Sequence, residues 1–425
     1  MKRSLPVVLL AALCGVAVAD TSAEEELLAG ADAMVAKVSK LRGLRVKRTI
    51  KRGVMNDAQL RERLRKRIDE QYSKEELAAE SLGMKRFGLL DKDADYLKVV
   101  LNLLTSQVAG FYDPFARELY IAKSSGFGGD MLLAHEIDHA LQDQHFDLKR
   151  FMTAEKANAD ASAARQALVE GDGVALMMEH LLDGMGKSPP WGEPKFAEEA
   201  ASMTRSQADS IKDAPFALRE ALVFPYADGL RFVAHFRKHH GWNRINKIFK
   251  KPPLSTEHIL HAELYERYEK PLAISVTIPG ALSGYDATYK NVMGEKGLSI
   301  MLEAHGVTRE RASSAAAGWG GDAVVVFSPP GHTGSVSGTI GVLRLRFDSE
   351  ADAIEFYEAA SHALPSLSGN GDLVADGPDG ALRYRNSNGA VVSVQRVLPD
   401  VAILVGAPPA REPEIRAAAL AWPAK

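Results

Sequence analysis

The 425-residue chain has a single cysteine, Cys14. With no second thiol it cannot close an intrachain disulfide, which excludes the small, stapled scaffolds common outside the cell. A large excess of charge is also missing. The 52 lysines and arginines stand against 55 aspartates and glutamates, for a formal net charge of −3. That balance gives no reason to expect a nucleic-acid partner. After the first nineteen residues no stretch is long and apolar enough to span a membrane. The rest, 46% hydrophobic and 25% charged, is the composition of a globular protein with room for two or three domains.

The first nineteen residues read differently. Lys2-Arg3 give a positive start, Leu5 to Val18 an apolar core, and Ala17-Val18-Ala19 a small-residue cleavage site before Asp20. This predicts a cleavable signal peptide over 1–19 and a secreted or periplasmic product. Cleavage would remove the cysteine and two positive charges, leaving −3 − 2 = −5.

From residue 20 to about 105 the pattern is helical. Asn56 is placed to cap a helix carrying Leu60, Leu64 and Ile68, and Ser73 to Glu76 form a capping box. The basic run Arg61–Arg67 is followed by Asp69 and Glu70 and reads as a solvated face. Asp113-Pro114 marks the turn of a hairpin over 108–122, and its second strand, Glu118–Ala122, is expected either to leave an edge free for an extended peptide or to belong to a core hairpin, two readings the sequence leaves even. A helix is predicted from Asn158 or Asp160 through Leu181, with small residues on one face and Gly171 within it. Glycine there costs roughly 1 kcal/mol against alanine, so it hints at a close approach or a bend. Beyond Gly318-Trp319-Gly320-Gly321 four strands and two helices are expected. The fold class predicted is α+β: a mainly helical domain with a small sheet over 20–320, then a small α+β domain over 321–425.

The chemistry centres on His135-Glu136-Ile137-Asp138-His139. Positions four apart share a helix face, so both imidazoles can point at one metal ion. Glu136 is displaced by about 100° and stands beside that ion, where a general base is needed. A hydrolytic zinc site takes three protein ligands and keeps one position open. Two residues compete for third ligand. His145 stands ten residues after His135, but Gln142 occupies the position where a glycine would break the helix. If the helix continues, His145 is carried about 9 Å further along the axis than His139. Glu170, on the following helix, is the favoured ligand.

The stretches Gly110–Pro114, His135–Gln144, Leu168–Asp172, Ser255–His261 and Gly318–Asp322 together resemble a bacterial family of predicted secreted metalloproteases of the gluzincin (thermolysin-like) group. The resemblance implies a zincin-like metallopeptidase domain and a bound Zn2+. Thermolysin-like relatives carry an aspartate four residues after the ligand glutamate. Val174 stands there instead, so Asp172 or Asp138 is expected to orient a histidine. His258 departs from the glutamine common in the family and is not expected to be essential. The mechanism expected is peptide hydrolysis at a zinc held by His135, His139 and Glu170, with Glu136 as base and His261 or Tyr112 as oxyanion donor. The substrate would be a peptide or protein. The alternatives are a zinc-stabilised binding protein without turnover and a metzincin-like site with His145 as third ligand.

Overall fold

The computed structural model describes residues 22–107, 110–122, 129–206, 211–276, 280, 282–332, 334–374 and 379–421; the expected signal peptide lies outside them. The fold is α+β. The first region comprises α1 (Ser22–Arg42), β1 (Lys51–Met55), α2 (Asp57–Gln71), α3 (Lys74–Arg86), α4 (Tyr96–Gln107), β2 (Gly110–Asp113), β3 (Glu118–Ala122), α5 (Gly129–Phe146) and α6 (Leu148–Thr153). It continues with α7 (Ala159–Gly184), α8 (Pro194–Ser206), α9 (Phe216–Lys250), α10 (Thr256–Leu260) and α11 (Ala262–Arg267). The second contains β4 (Asp286–Asn291), α12 (Gly294–Ala304), α13 (Arg309–Ala316), β5 (Trp319–Ser328), β6 (Ile340–Phe347), α14 (Glu350–Leu367), β7 (Asp372–Val374), β8 (Leu382–Arg385), β9 (Val391–Val397), β10 (Asp400–Ala407) and α15 (Glu412–Leu420).

Local signals account for many of the helices. Asn56 and Gln59 close a capping box on α2, whose Leu60, Leu64 and Ile68 are buried, and Ser73 with Glu76 does the same for α3. The basic run on α2 is only partly a solvated face. Arg65 pairs with Asp69 at 3.0 Å, but Arg63 and Arg67 both reach the buried Asp113 at the end of β2. Two arginines thus anchor the hairpin.

The small sheet has the order β1-β3-β2. β1 lies in the segment expected to be helical, and it pairs in parallel with β3 from Lys51↔Glu118 to Met55↔Ala122. Its sequence, KRGVM, has little local preference, so pairing decides its state. The consequence corrects the strand-edge expectation. β3 is covered on both sides, and the free edges belong to β1 and β2.

The second sheet has seven strands in the order β4-β5-β6-β10-β9-β8-β7. The boundary expected at 320/321 falls inside β5, because the sheet already begins with β4, a polar, half-buried edge strand that offers no hydrophobic run to read. α12 and α13 join the core beneath it, as do Leu82 of α3 and Phe87 just after it. Asp322 accepts hydrogen bonds from the backbone N–H groups of Met293 and Gly294, each 2.8 Å, and from Trp319 Nε1. The Gly318–Asp322 motif therefore ties β5 to the start of α12.

α5 is buried along nearly its whole length. Leu133, Ala134, Ile137, Ala140 and Leu141 pack with α1 and the small sheet, and α7 lies against the helix as well. α7 starts at the Asn158 cap and runs against α9. Their approach is limited by backbone alone. A Cβ on Gly171 would lie 2.2 Å from the carbonyl of Gly229, and one on Gly229 would lie 2.1 Å from the Ala167 oxygen. Close approach is thus the reason for glycine at 171.

Candidate metal centre

The faces of α5 and α7 that meet carry the site. His135 and His139, one turn apart, bring their Nε2 atoms to 2.8 Å, with the rings nearly perpendicular. Glu170 Oε2 lies 3.2 Å from His135 Nε2 and 3.3 Å from His139 Nε2. All three side chains are 0% exposed. Their donor atoms form a triangle of about 1.8 Å circumradius, inside a metal–ligand bond of about 2.0–2.2 Å. A single ion therefore fits within bonding reach of all three. Glu170 Oε1 is buried with no hydrogen-bond partner among the described residues, which would be expensive in a site meant to stay empty. The buried His135, Glu136 and His139 likewise hold their ligand atoms within 4.8 Å of one another, so this group can hold a metal ion. Gly173 makes room for it, since a Cβ there would lie 2.6 Å from His135 Cε1.

The charges respond to this crowding. Burial pushes His135 below the usual imidazole range, and His139 adds to the shift. Burial acts the same way on His139, but the Glu170 carboxylate outweighs it and the net shift is upward, to about 9. Burial would raise Glu170; the two imidazoles instead hold it below its usual value. Without metal, His139 and Glu170 thus form a buried ion pair.

Glu136 is 1% exposed, and its Oε2 accepts the backbone N–H of Tyr112 at 2.6 Å. The acid is therefore steered by the outer edge of β2. The Tyr112 hydroxyl is engaged elsewhere, donating to Asp143 Oδ2 at 2.9 Å. As an oxyanion donor, Tyr112 is corrected: its contribution here is the backbone N–H.

The orienting residue is Gln142. Its Nε2, with two N–H groups shared among three acceptors, lies 3.0 Å from Asp138 Oδ2, 3.0 Å from Asp172 Oδ2 and 3.2 Å from the Val169 carbonyl, which leaves Oε1 to accept from His139 Nδ1 at 2.9 Å. With Nδ1 donating, Nε2 is the atom of His139 that faces the cluster, and its lone pair becomes available once the second proton is lost. Asp138 and Asp172, expected to contact a histidine, act one bond further out through Gln142. Arg42, fully buried, forks onto Asp172 with two 2.8 Å bonds and stacks over Trp242. We expect Gln142→Leu to keep the fold and weaken metal affinity about 10–100-fold, as lost outer contacts to ligands do. Competition against a chromogenic chelator measures this, and unchanged affinity would refute the orienting role.

Two other sequence candidates lie away from the cluster. α5 continues to Phe146, and His145 Nε2 bonds to the Arg45 carbonyl at 2.8 Å. The metzincin-like alternative loses its third ligand. His261 bonds to Glu295 Oε1 at 2.8 Å. The next residue, Lys296, donates through its backbone to Thr256 Oγ1, and the backbone N–H of Thr256 bonds to Asp160. This links His261 to the start of α7, where Asp160 stands ten residues, or about 15 Å along the axis, before Glu170. His261 is corrected as an oxyanion donor; a short helix carrying two histidines gave no clue to which end of α7 it would meet. His258 is buried and bonded to the Glu269 carbonyl, a structural placement. Sequence reading missed Gln142 and Tyr226. The ring of Tyr226, on α9, lies 6.2 Å from that of His135, near parallel. The only sequence signal for Tyr226 is Gly229, one turn on, which allows α9 to approach α7.

Residues 283–415 match a family model described as a domain of unknown function (DUF8575). No curated protein and no solved structure matches the chain. The matched span holds the seven-stranded sheet and leaves His135, Glu136, His139 and Glu170 outside it, so the likeness is to a domain and not to the metal centre.

Proposed function

We propose that the protein is an exported zinc peptidase of the gluzincin arrangement. The observation that carries this reading is the convergence of His135 Nε2, His139 Nε2 and Glu170 Oε2 within 3.3 Å, fully buried, with Glu136 held beside them by a strand edge. Bound zinc supplies the Lewis acidity that polarises a carbonyl and acidifies water. His135 and His139 present neutral Nε2 atoms to it, and Glu170 contributes the negative charge. Glu136 takes a proton from the attacking water on a carboxylate oxygen and delivers it to the leaving amine. The Tyr112 N–H keeps that carboxylate oriented through both transfers. A purely structural zinc site is closed by four ligands and has no use for such an acid, whereas three ligands leave a position open.

Purified protein should contain about one zinc per chain and cleave an unfolded protein. A chelator should abolish cleavage and zinc should restore it; metal-free preparations with full activity would end this reading. Uptake should also depend on pH. His139 carries its proton up to about 9 in the metal-free protein and must release it on ligation. Affinity should therefore fall about tenfold per pH unit as pH drops below about 9, with close to one proton released per zinc at neutral pH. Calorimetry in buffers of different ionisation enthalpy reads that number.

A further inference from the structure

The formal charge of −3 conceals a segregation. Residues 33–56 hold eight lysines and arginines and no acid, and residues 229–256 hold seven and no acid. The rest of the chain therefore carries −3 − 15 = −18. Folding brings the two basic segments together at the last turn of α5. There the Arg45 carbonyl meets His145, Lys47 Nζ donates to the Gln144 carbonyl at 3.0 Å, and the Phe249 ring stacks on Phe146 at 4.3 Å. Arg42 spans the seam, donating to Asn246 Oδ1 at 2.9 Å while Asp172 holds the rest of its guanidinium. His145, at this junction, registers the field. Burial pushes it below the usual imidazole range, and the charges of Lys47, Arg42 and Arg45 act in the same direction.

On α9 the basic residues form one stripe. Ile245, Ile248 and Phe249 face the core, whereas His240, Asn243, Arg244, Lys247 and Lys250 recur at helical spacing on the outer face. The first four line a depression of about 250 Å³, and no acid lines it. Arg45, Lys47, Lys247 and Lys250 are exposed, and with Arg244 they form no ion pair among the described residues. The basic run of α2 is different, since its arginines are taken up by Asp69, Glu70 and Asp113. The acid at the turn after α5, Asp147, is held on the backbone N–H of Arg150. Like charges gathered without counter-charges repel one another, and an opposing negative surface turns that cost into attraction.

We propose that this face is a peripheral membrane-binding surface, which docks on the phosphate headgroups of an anionic bilayer. The choice of partner follows from the kind of cation. In the two segments every exposed cation except Arg45 is a lysine, while the other arginines are buried or half-buried. Lysine is a point charge on a flexible stem and suits a diffuse planar field. The forked guanidinium, which matches the fixed carboxylates of an acidic protein, is the group withheld. Val46, 42% exposed between Arg45 and Lys47, adds an apolar contact at headgroup depth. The surface owes nothing to the peptidase reading and is tested without turnover.

The experiment sediments full-length protein with vesicles of phosphatidylglycerol and phosphatidylcholine in equal parts, beside vesicles of phosphatidylcholine alone. We expect binding to the first and none to the second. Raising the ionic strength to about 1 M, where the screening length falls to about 3 Å, should abolish it. Lys247→Ala combined with Lys250→Ala should lower the partition coefficient about 25-fold, at about fivefold for each lysine. Both side chains are exposed, so misfolding does not explain a loss. Arg65→Ala combined with Lys66→Ala, on α2, should change it by no more than about twofold. Equal binding to neutral vesicles, or a partition unmoved by the Lys247 and Lys250 pair, would overturn the surface. Displacement by soluble glycerol phosphate at matched phosphate concentration would make the depression a site for free phosphate and overturn the bilayer. Tighter binding to duplex DNA or to polyglutamate than to the anionic vesicles would overturn the choice of partner.

Discussion

Glu136→Gln is expected to lower peptide turnover about 10²–10⁴-fold while the protein keeps its zinc and its fold. The amide is nearly the shape of the carboxylate and is not among the three convergent donors, so metal content should not change. Its oxygen can still accept the Tyr112 N–H that holds Glu136 Oε2 at 2.6 Å. What it cannot do is take a proton from water at neutral pH. Metal analysis and kcat on the same preparation separate these properties. A variant that cleaves as fast as wild type would remove Glu136 from the mechanism, and one that loses zinc would make it a ligand.

The second large effect is on metal retention. Glu170→Ala should release zinc to a competing chelator, with affinity falling by at least about 100-fold, and activity should go with it. Two neutral imidazoles would be left to hold a doubly charged ion, with no charge to offset its desolvation. His145→Ala should retain wild-type affinity, because His145 bonds to the Arg45 carbonyl in the last turn of α5. The reverse result, zinc lost with His145 and kept without Glu170, would require a different end to α5. Running both variants beside wild type controls for general destabilisation, which circular dichroism would also report.

Short-range features of the chain were legible wherever a local rule decided the outcome. Helical spacing alone places His135 and His139 together, and the lack of glycine at 142 carries α5 through to Phe146. Capping residues marked α2, α3 and α7. Glycine at 171 announced a close approach without naming the partner, which is Gly229.

What the sequence by itself determined is which faces carry chemistry: His135, Glu136 and His139 on one turn, and a separate helix offering Glu170. Only the tertiary structure decided how these faces were supported. β1 became a strand because β3 was there to pair with, and in doing so it covered the edge of β3 and left the free edges to β1 and β2. Gln142, read as the residue that replaced a helix-breaking glycine, became the group that orients His139, because Asp138, Asp172 and Val169 converge on its amide. His261 went to the far end of α7 with Glu295. The physical reason is the range of the forces involved. Periodicity and caps act within a few residues, whereas the partner of a buried polar group is set by whichever element packs against it, here from 24 to 35 positions away for the Glu136 and Glu170 contacts and 130 for Arg42 with Asp172.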